Sequence, residues 1–156
     1  MDMDIRPLQE SDLDDLFRLT SNERVARYMR FDTHTDVEQA RRMLQEYRQL
    51  PAAFAVLIGG RFAGVFSLMP AEEPSAYTVS IFLDEAYWNQ GYASYLMGRM
   101  KEYARRELGA RVLIGYVVSL NEGSKRTLTK NGFTRVETLT FPDLPEGLEI
   151  YRCELQ

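Results

Sequence analysis

One cysteine, one histidine and one tryptophan are spread over 156 residues, and each scarcity removes a class of chemistry. Cys153 has no internal partner, so no disulfide framework holds this chain. Near the end of an apolar run it reads as a small buried or edge residue rather than a nucleophile. His34 has no cysteine or histidine at metal-ligand spacing, which argues against a zinc site. No apolar run approaches the ~20 residues that cross a bilayer, and the opening MDMDIRPLQE lacks the basic flank and apolar stretch of a signal peptide. The net charge is −4, whereas a general nucleic-acid binder needs a basic face. The expectation is a cytoplasmic protein in a reducing compartment, with no metal, membrane or nucleic acid as partner.

What is present suffices for one ordinary domain. A composition 45% hydrophobic and 27% charged is that of a globular chain, and 156 residues bury a core without staples. No linker, low-complexity tract or repeat interrupts it, so residues 1–156 read as a single domain. Residues 3–7 form a first short strand. Ser11-Asp12-Leu13-Asp14 opens a helix whose Leu13, Leu16, Phe17 and Thr20 recur at helical spacing. A short second helix is expected over about 22–29. A third opens at Thr35-Asp36-Val37-Glu38, read as a capping box, with Val37, Ala40, Leu44 and Tyr47 on one face.

The period then changes from helix to strand. Residues 53–58 and 62–69 are apolar runs around Gly59-Gly60-Arg61, a hairpin signal because paired glycines accept positive φ. Residues 77–83 make the next strand, with Val79, Ile81 and Leu83 on one face and Thr78 and Ser80 on the other. An amphipathic helix follows, carrying Ala93, Leu96, Met97, Met100, Ala104 and Leu108 and stopped by Gly109. Residues 112–118 form a buried-looking strand, 121–131 a helix ended by Gly132, and two strands near 133–141 and 148–155 close the chain. The order β-α-α-α-β-β-β-α-β-α-β-β predicts an α/β (α+β) fold. Its sheet is mixed, mostly antiparallel early, with a strand-helix-strand crossover in the middle.

Two segments carry candidate chemistry. In Ile81-Phe82-Leu83-Asp84-Glu85-Ala86-Tyr87-Trp88-Asn89-Gln90-Gly91-Tyr92-Ala93-Ser94 a strand ends, a polar turn follows, and a helix begins at a glycine. The first N–H groups of such a helix lack internal partners and its dipole is positive there, so a pyrophosphate fits against Asn89, Gln90, Gly91, Tyr92, Ala93 and Ser94. Gly91 lets the backbone approach and small Ala93 keeps the path clear. In the second segment Asn121 stands at a strand-to-helix turn, Ser124 three residues on, and Lys130-Asn131-Gly132-Phe133 at the exit. Asn121 as N-cap and Gly132 as C-cap is the plain account, and a ligand role is compatible with it.

Both segments, in this order and separated by one helix and one strand, resemble the GNAT superfamily of acyl-CoA N-acyltransferases. The likeness is narrower to the branch of ribosomal-protein N-terminal acetyltransferases, on Ile5-Arg6-Pro7-Leu8 with Asp12, Tyr87-Trp88-Asn89-Gln90-Gly91-Tyr92-Ala93, and Asn121-x-x-Ser124. Trp88 stands where the superfamily has arginine or glutamine, Ser80-Ile81 where the branch often has Gly-Tyr, and Tyr95 where glutamate is frequent.

The resemblance implies a three-layer fold of about seven strands flanked by helices, with splayed fourth and fifth strands. It implies acetyl-CoA as cosubstrate, its pantetheine arm along the backbone of Ile81, Phe82 and Leu83, with Asn121 on the other wall. A backbone N–H on that strand would polarise the thioester carbonyl. An amine, either a small molecule or a protein N-terminus, would attack directly, and a homodimer would form through the late strands. The superfamily tyrosine four residues before Gly-Phe is here Leu128. In the branch it resembles, the serine of the Asn-x-x-Ser motif takes that place, which implies Ser124 as the group that hydrogen-bonds the departing thiolate, against a plain helix-start role; a non-catalytic acyl-CoA-binding module on the same fold stays open. Ser80, Tyr116, Ser119 and His34 are candidate members of a water chain; His34 is expected in a surface loop, Arg30, Phe31 and Asp32 lie on a connecting loop, and Asp32 is read as a solvated loop acid or as a recogniser of a cationic acceptor. Tyr87, Trp88 and Tyr92 are expected to be core and helix-packing material.

Overall fold

A computed structural model describes residues 1–29 and 31–156; Arg30 lies outside the described residues. The chain folds as two compact units, Met1–Met69 with Ser80–Gln90, and Pro70–Val79 with Gly91–Gln156.

In the first unit, strand β1 (Met3–Pro7) pairs antiparallel with β2 (Ala52–Ile58), and β2 with β3 (Arg61–Pro70). Gly59 and Gly60, at φ 58 and 79, turn the β2–β3 hairpin as the paired glycines predict. One extra residue, Ala63, bulges from β3 between partners Leu57 and Val56. The last four residues of β4 (Ala76–Leu83) also belong to this unit. Helix α1 (Leu13–Thr20) follows a single 3-10 turn, α2 is Glu23–Ala26, and α3 is Val37–Tyr47. The core gathers Leu8, Leu16, Leu19, Val25, Leu44, Ala55, Phe62, Val65 and Phe82. Each large side chain fully buried there contributes roughly 1.5–3 kcal/mol.

Two helix boundaries differ from expectation, both for reasons of capping. The second helix is one turn long: Asn22 caps it by accepting from Arg24 N, and the chain then leaves through an i→i+3 bond from Met29 N to the Ala26 carbonyl. The third helix starts one residue later than the Thr35 capping box predicts. Asp36 is the cap, accepting from Glu38 N, while Gln39 Oε1 reaches back to the Thr35 and Asp36 N–H groups.

The second unit holds the start of β4, α4 (Tyr92–Leu108), β5 (Val112–Val118), α5 (Glu122–Lys130), β6 (Thr134–Phe141) and β7 (Leu144–Glu154). Leu96, Met97, Met100 and Ala104 form the buried stripe of α4, and Gly109, at φ 63, ends it. β4 and β5 are parallel, the expected crossover through α4. Their register comprises Ala76–Val112, Tyr77–Leu113 and Thr78–Ile114, whereas β5 pairs with β7 along all of Val112–Val118. β6 pairs antiparallel with β7, whose start at Leu144 makes that final hairpin tighter than its apolar pattern suggests. The strand order β1-β2-β3-β4-β5-β7-β6 makes the expected seven-stranded mixed sheet, with β4 common to both units. On β4 the faces are less separated than alternation predicts: Phe82 enters the core, while Ile81 stays half-buried.

Candidate active site

In the first unit, β4 delivers Ile81, Phe82 and Leu83 to the polar turn that follows. Gly64 on β3 is what permits this approach: a Cβ there would lie 2.3 Å from the Phe82 carbonyl oxygen and 2.7 Å from Leu83 Cδ2. Asp84 N donates to the Ala63 carbonyl at 2.7 Å, so the β3 bulge fixes the strand end. Trp88 was expected in the core, yet it is 38% exposed, because its indole Nε1 turns back to donate to the Leu83 carbonyl at 2.8 Å. That bond takes one of the two lone pairs of a carbonyl in the strand segment read as a ligand edge. Asn89 and Gln90 are both exposed. Asn89 sits at φ 59, a left-handed conformation that asparagine tolerates, and Gln90 Nε2 donates to the Ala86 carbonyl at 2.8 Å.

Three side chains from the early helices brace this turn, and local sequence reading missed all of them. Arg18 of α1 donates to Asp84 Oδ2 at 2.6 Å and to the Phe62 carbonyl at 3.2 Å. Asn22 and Arg24 hold the two oxygens of Glu85 at 3.0 and 3.2 Å. Desolvation acts to lower the Arg18 pKa, but Asp84 and Asp15 overcome it and keep the guanidinium above its ordinary value.

His34 is the sharpest departure in this unit. The expected surface-loop residue is 8% exposed, its N–H donating to the Thr20 carbonyl at 3.0 Å and its ring 5.4 Å from that of Phe31. Its Nδ1 is buried with no hydrogen-bond partner among the described residues. Burial, then the charge of Arg42, pushes the imidazole pKa below its ordinary value, so the ring is neutral at pH 7. Asp32, as expected of a loop acid, is exposed.

In the second unit, Gly91 opens α4 at φ 86, with Tyr92, Ala93 and Ser94 as its first turn. No side chain caps this turn and no acid lies in it, in contrast to α3 and α5, whose caps are Asp36 and Asn121. The first intrahelical bond runs from Tyr95 N to the Gly91 carbonyl, so helix geometry turns the preceding N–H groups outward with the positive end of the dipole. Such a turn suits an anion.

Asn121 is the N-cap of α5: its Oδ1 accepts from Ser124 N at 3.2 Å. The cap leaves the amide Nδ2 of Asn121, and the hydroxyl of half-buried Ser124, without a partner among the described residues. Thus Asn121 and Ser124 are brought together, whereas Ser94 is joined to the other end of α5. Asn131 Nδ2 donates to Ser94 O at 3.3 Å, Ser94 Oγ at 3.1 Å and Thr127 O at 2.8 Å, while Lys101 Nζ donates to the Asn131 carbonyl at 2.6 Å. Leu128, where the superfamily tyrosine is absent, is 3% exposed core packed over Gly115. Cys153 is buried, as expected.

A buried carboxylate steadies the first turn of α5. Glu149 on β7, 6% exposed, accepts from Tyr151 OH at 2.8 Å and from Lys125 Nζ at 3.4 Å. Desolvation works to raise its pKa, but hydrogen bonds from Tyr151, Ser119 and Lys125 outweigh it and hold the carboxylate below its ordinary range. Lys125 also meets Glu122 at 3.0 Å, which anchors the residue next to Ser124. No local signal joins Lys125 to Glu149, because they lie 24 residues apart.

Comparison with known proteins gives the family and the fold. A family model described as an acetyltransferase (GNAT) domain matches residues 2–134. FsC-acetyl coenzyme A-N(2)-transacetylase of Aspergillus fumigatus is 30% identical over 100 residues, 58% of this chain and 43% of that protein; the match therefore spans less than half of that relative. A GNAT-family acetyltransferase from Bacillus anthracis superimposes with a TM-score of 0.88 at 19% identity, covering 99% of this chain and 95% of the other. The ribosomal L7/L12 alpha-N-protein acetyltransferase RimL, solved with coenzyme A, superimposes at 0.85 and 22% identity with the same coverage. At these identities the superpositions show a shared fold.

Proposed function

The chain belongs to the GNAT acetyltransferase family, and from that membership we propose that it transfers an acetyl group from acetyl-CoA to a primary amine. Acetyl-CoA is the cosubstrate of that family. The observation that carries the reading is the opening turn of α4: an uncapped helix start, free of acids, at a glycine with φ 86. Gly91, Tyr92, Ala93 and Ser94 would receive the diphosphate on their backbone, with Asn89 and Gln90 completing the segment. Ile81, Phe82 and Leu83 would line the pantetheine arm through their backbone, the Leu83 carbonyl being shared with Trp88. Asn121 would donate its spare amide to the arm.

When bound, acetyl-CoA supplies an activated thioester: the amine nitrogen bonds to the acetyl carbon, the C–S bond breaks, and coenzyme A departs as a thiol. The chain's part is to hold the two reactants together, to polarise the carbonyl through a backbone N–H, and to stabilise the sulfur as it leaves. Ser124 suits the last task, its hydroxyl having no partner among the described residues. A hydroxyl is too weak an acid for full proton transfer at neutral pH, so its contribution is a hydrogen bond. The acceptor is a small amine or a protein N-terminus. An α-amine, with a reference pKa near ~8 against ~10.4 for lysine, is more than a hundredfold more abundant in neutral form at pH 7, which favours N-termini and weakly basic amines.

The test is thiol release from acetyl-CoA over a panel comprising an alanyl peptide, spermidine, lysine and an aminoglycoside, together with calorimetry of coenzyme A. We expect turnover of at least one amine. Gly91→Val should weaken coenzyme A at least tenfold, because a β-branched residue does not adopt φ 86 without strain. Ser124→Ala should lower kcat about tenfold and leave the KM for acetyl-CoA unchanged. Tight coenzyme A binding with no turnover and no effect of Ser124→Ala would instead favour the binding module, for which Leu128 in place of tyrosine is the motivating observation.

A further inference from the structure

We propose that His34 binds the acceptor: its Nδ1 takes a hydrogen bond from the N–H of the amine that attacks the acetyl group. This rests on the acetyltransferase reading above, and it adds a residue on the acceptor side.

Three observations in the first unit converge on this ring. Nδ1 of His34 is the buried side-chain polar atom with no partner among the described residues. An interior normally leaves few such atoms, since an unmatched buried polar group has lost its water without gaining a partner. Such an atom calls for a partner that the described residues do not supply. Second, the ring is placed by its surroundings. The His34 backbone is tied to Thr20 at the end of α1, and the imidazole packs 5.4 Å from Phe31, whose own ring lies 5.7 Å from Phe82. Phe82 belongs to the strand segment that would carry the pantetheine arm, so a single aromatic ring separates His34 from it. Third, the ring is in the state the role requires. Burial and Arg42 keep it neutral, so one nitrogen carries a lone pair. Keeping the proton on Nε2 spares the interior an orphaned N–H.

The single histidine of this chain makes the test unambiguous, because every imidazole resonance belongs to His34. With nitrogen-15-labelled protein saturated with coenzyme A, Nδ1 should show the shift of an unprotonated ring nitrogen. It should then move on addition of an alanyl peptide with a free α-amine or of spermidine. In kinetics, His34→Leu should raise the KM for the accepted amine about tenfold with the KM for acetyl-CoA unchanged. His34→Asn, whose side-chain oxygen falls near the position of Nδ1, should recover most of that loss and also shows whether the leucine variant failed through misfolding.

The proposal is overturned by an Nδ1 that carries a proton, by ring signals that stay still with both amines while thiol release proceeds, or by a His34→Leu effect equal on both substrates. In those cases the acetyltransferase reading stands without a role for His34. Absence of coenzyme A binding altogether would bring down both.

Discussion

Asp12 shows how much one side chain organises before any ligand arrives. It is 3% exposed and accepts two hydrogen bonds from Arg6 and one from Gln9 N, each at 2.8 Å. Burial alone would raise its pKa; the Arg6 pair and the Gln9 N–H reverse that and hold it below the usual aspartate value. The folded-state pKa is thus below the unfolded one, near ~3.9, so the stabilisation is complete above the unfolded value. It disappears as pH falls through the folded one. Asp12→Asn should cost roughly 1–3 kcal/mol at pH 7, since Arg6 is left half-buried without its counter-charge. Urea melts at pH 7 and pH 2 should show the wild type converging on the variant in acid; an equal gap at both would refute the charge-based account. Arg6 and Asp12 are visible in the sequence as a pattern, but their bidentate pairing is not. His34 is the opposite case: nothing in its neighbours announces burial, because Thr20 reaches it only after folding.

At the scale of elements, the ligand strand depends on a glycine in its neighbour. Gly64 faces the Phe82 carbonyl and the Leu83 Cα, which are backbone atoms and cannot rotate away. Gly64→Ala should therefore push β3 and the end of β4 apart, costing about 2–3 kcal/mol and weakening coenzyme A several-fold by calorimetry. Gly98→Ala is the matched control. Its Cβ would meet only Asn131 Oδ1, at 3.8 Å, and alanine is worth roughly 0.5–1 kcal/mol more than glycine inside a helix. Stability rising for Gly98→Ala and falling for Gly64→Ala is the expected pattern; an unperturbed Gly64→Ala protein would show that the strands slide freely. Helix boundaries were largely legible from caps and apolar spacing. The bracing of the 84–90 turn was not, because Arg18 and Asp84 stand 66 residues apart.

For the whole molecule, binding and stability are linked by mass action. A ligand held only by the folded state at a hundredfold excess over its Kd adds about 2.7 kcal/mol. In a chain of 156 residues each kcal/mol moves Tm by roughly 2–4 °C. Coenzyme A should thus raise Tm by about 5–10 °C in a thermal melt. Pantetheine, which lacks the diphosphate, should give little at equal concentration if the amides opening α4 carry the affinity. Equal shifts from the two would move the energetic weight from that turn to the strand.

What the sequence determined by itself was everything encoded over short range. The Gly59-Gly60 hairpin, the buried stripe of α4, the Gly91 helix start and the Asn121 cap each follow from residues within one or two turns of one another, where sterics and hydrogen bonding act locally. Only the tertiary structure decided which polar groups would be left over. Trp88 spends its indole on Leu83, Asn131 ties α5 to Ser94, Glu149 anchors Lys125, and His34 is buried with Nδ1 unmatched. The reason is physical: a hydrogen bond is satisfied in space, and space brings together residues whose separation along the chain carries no signal.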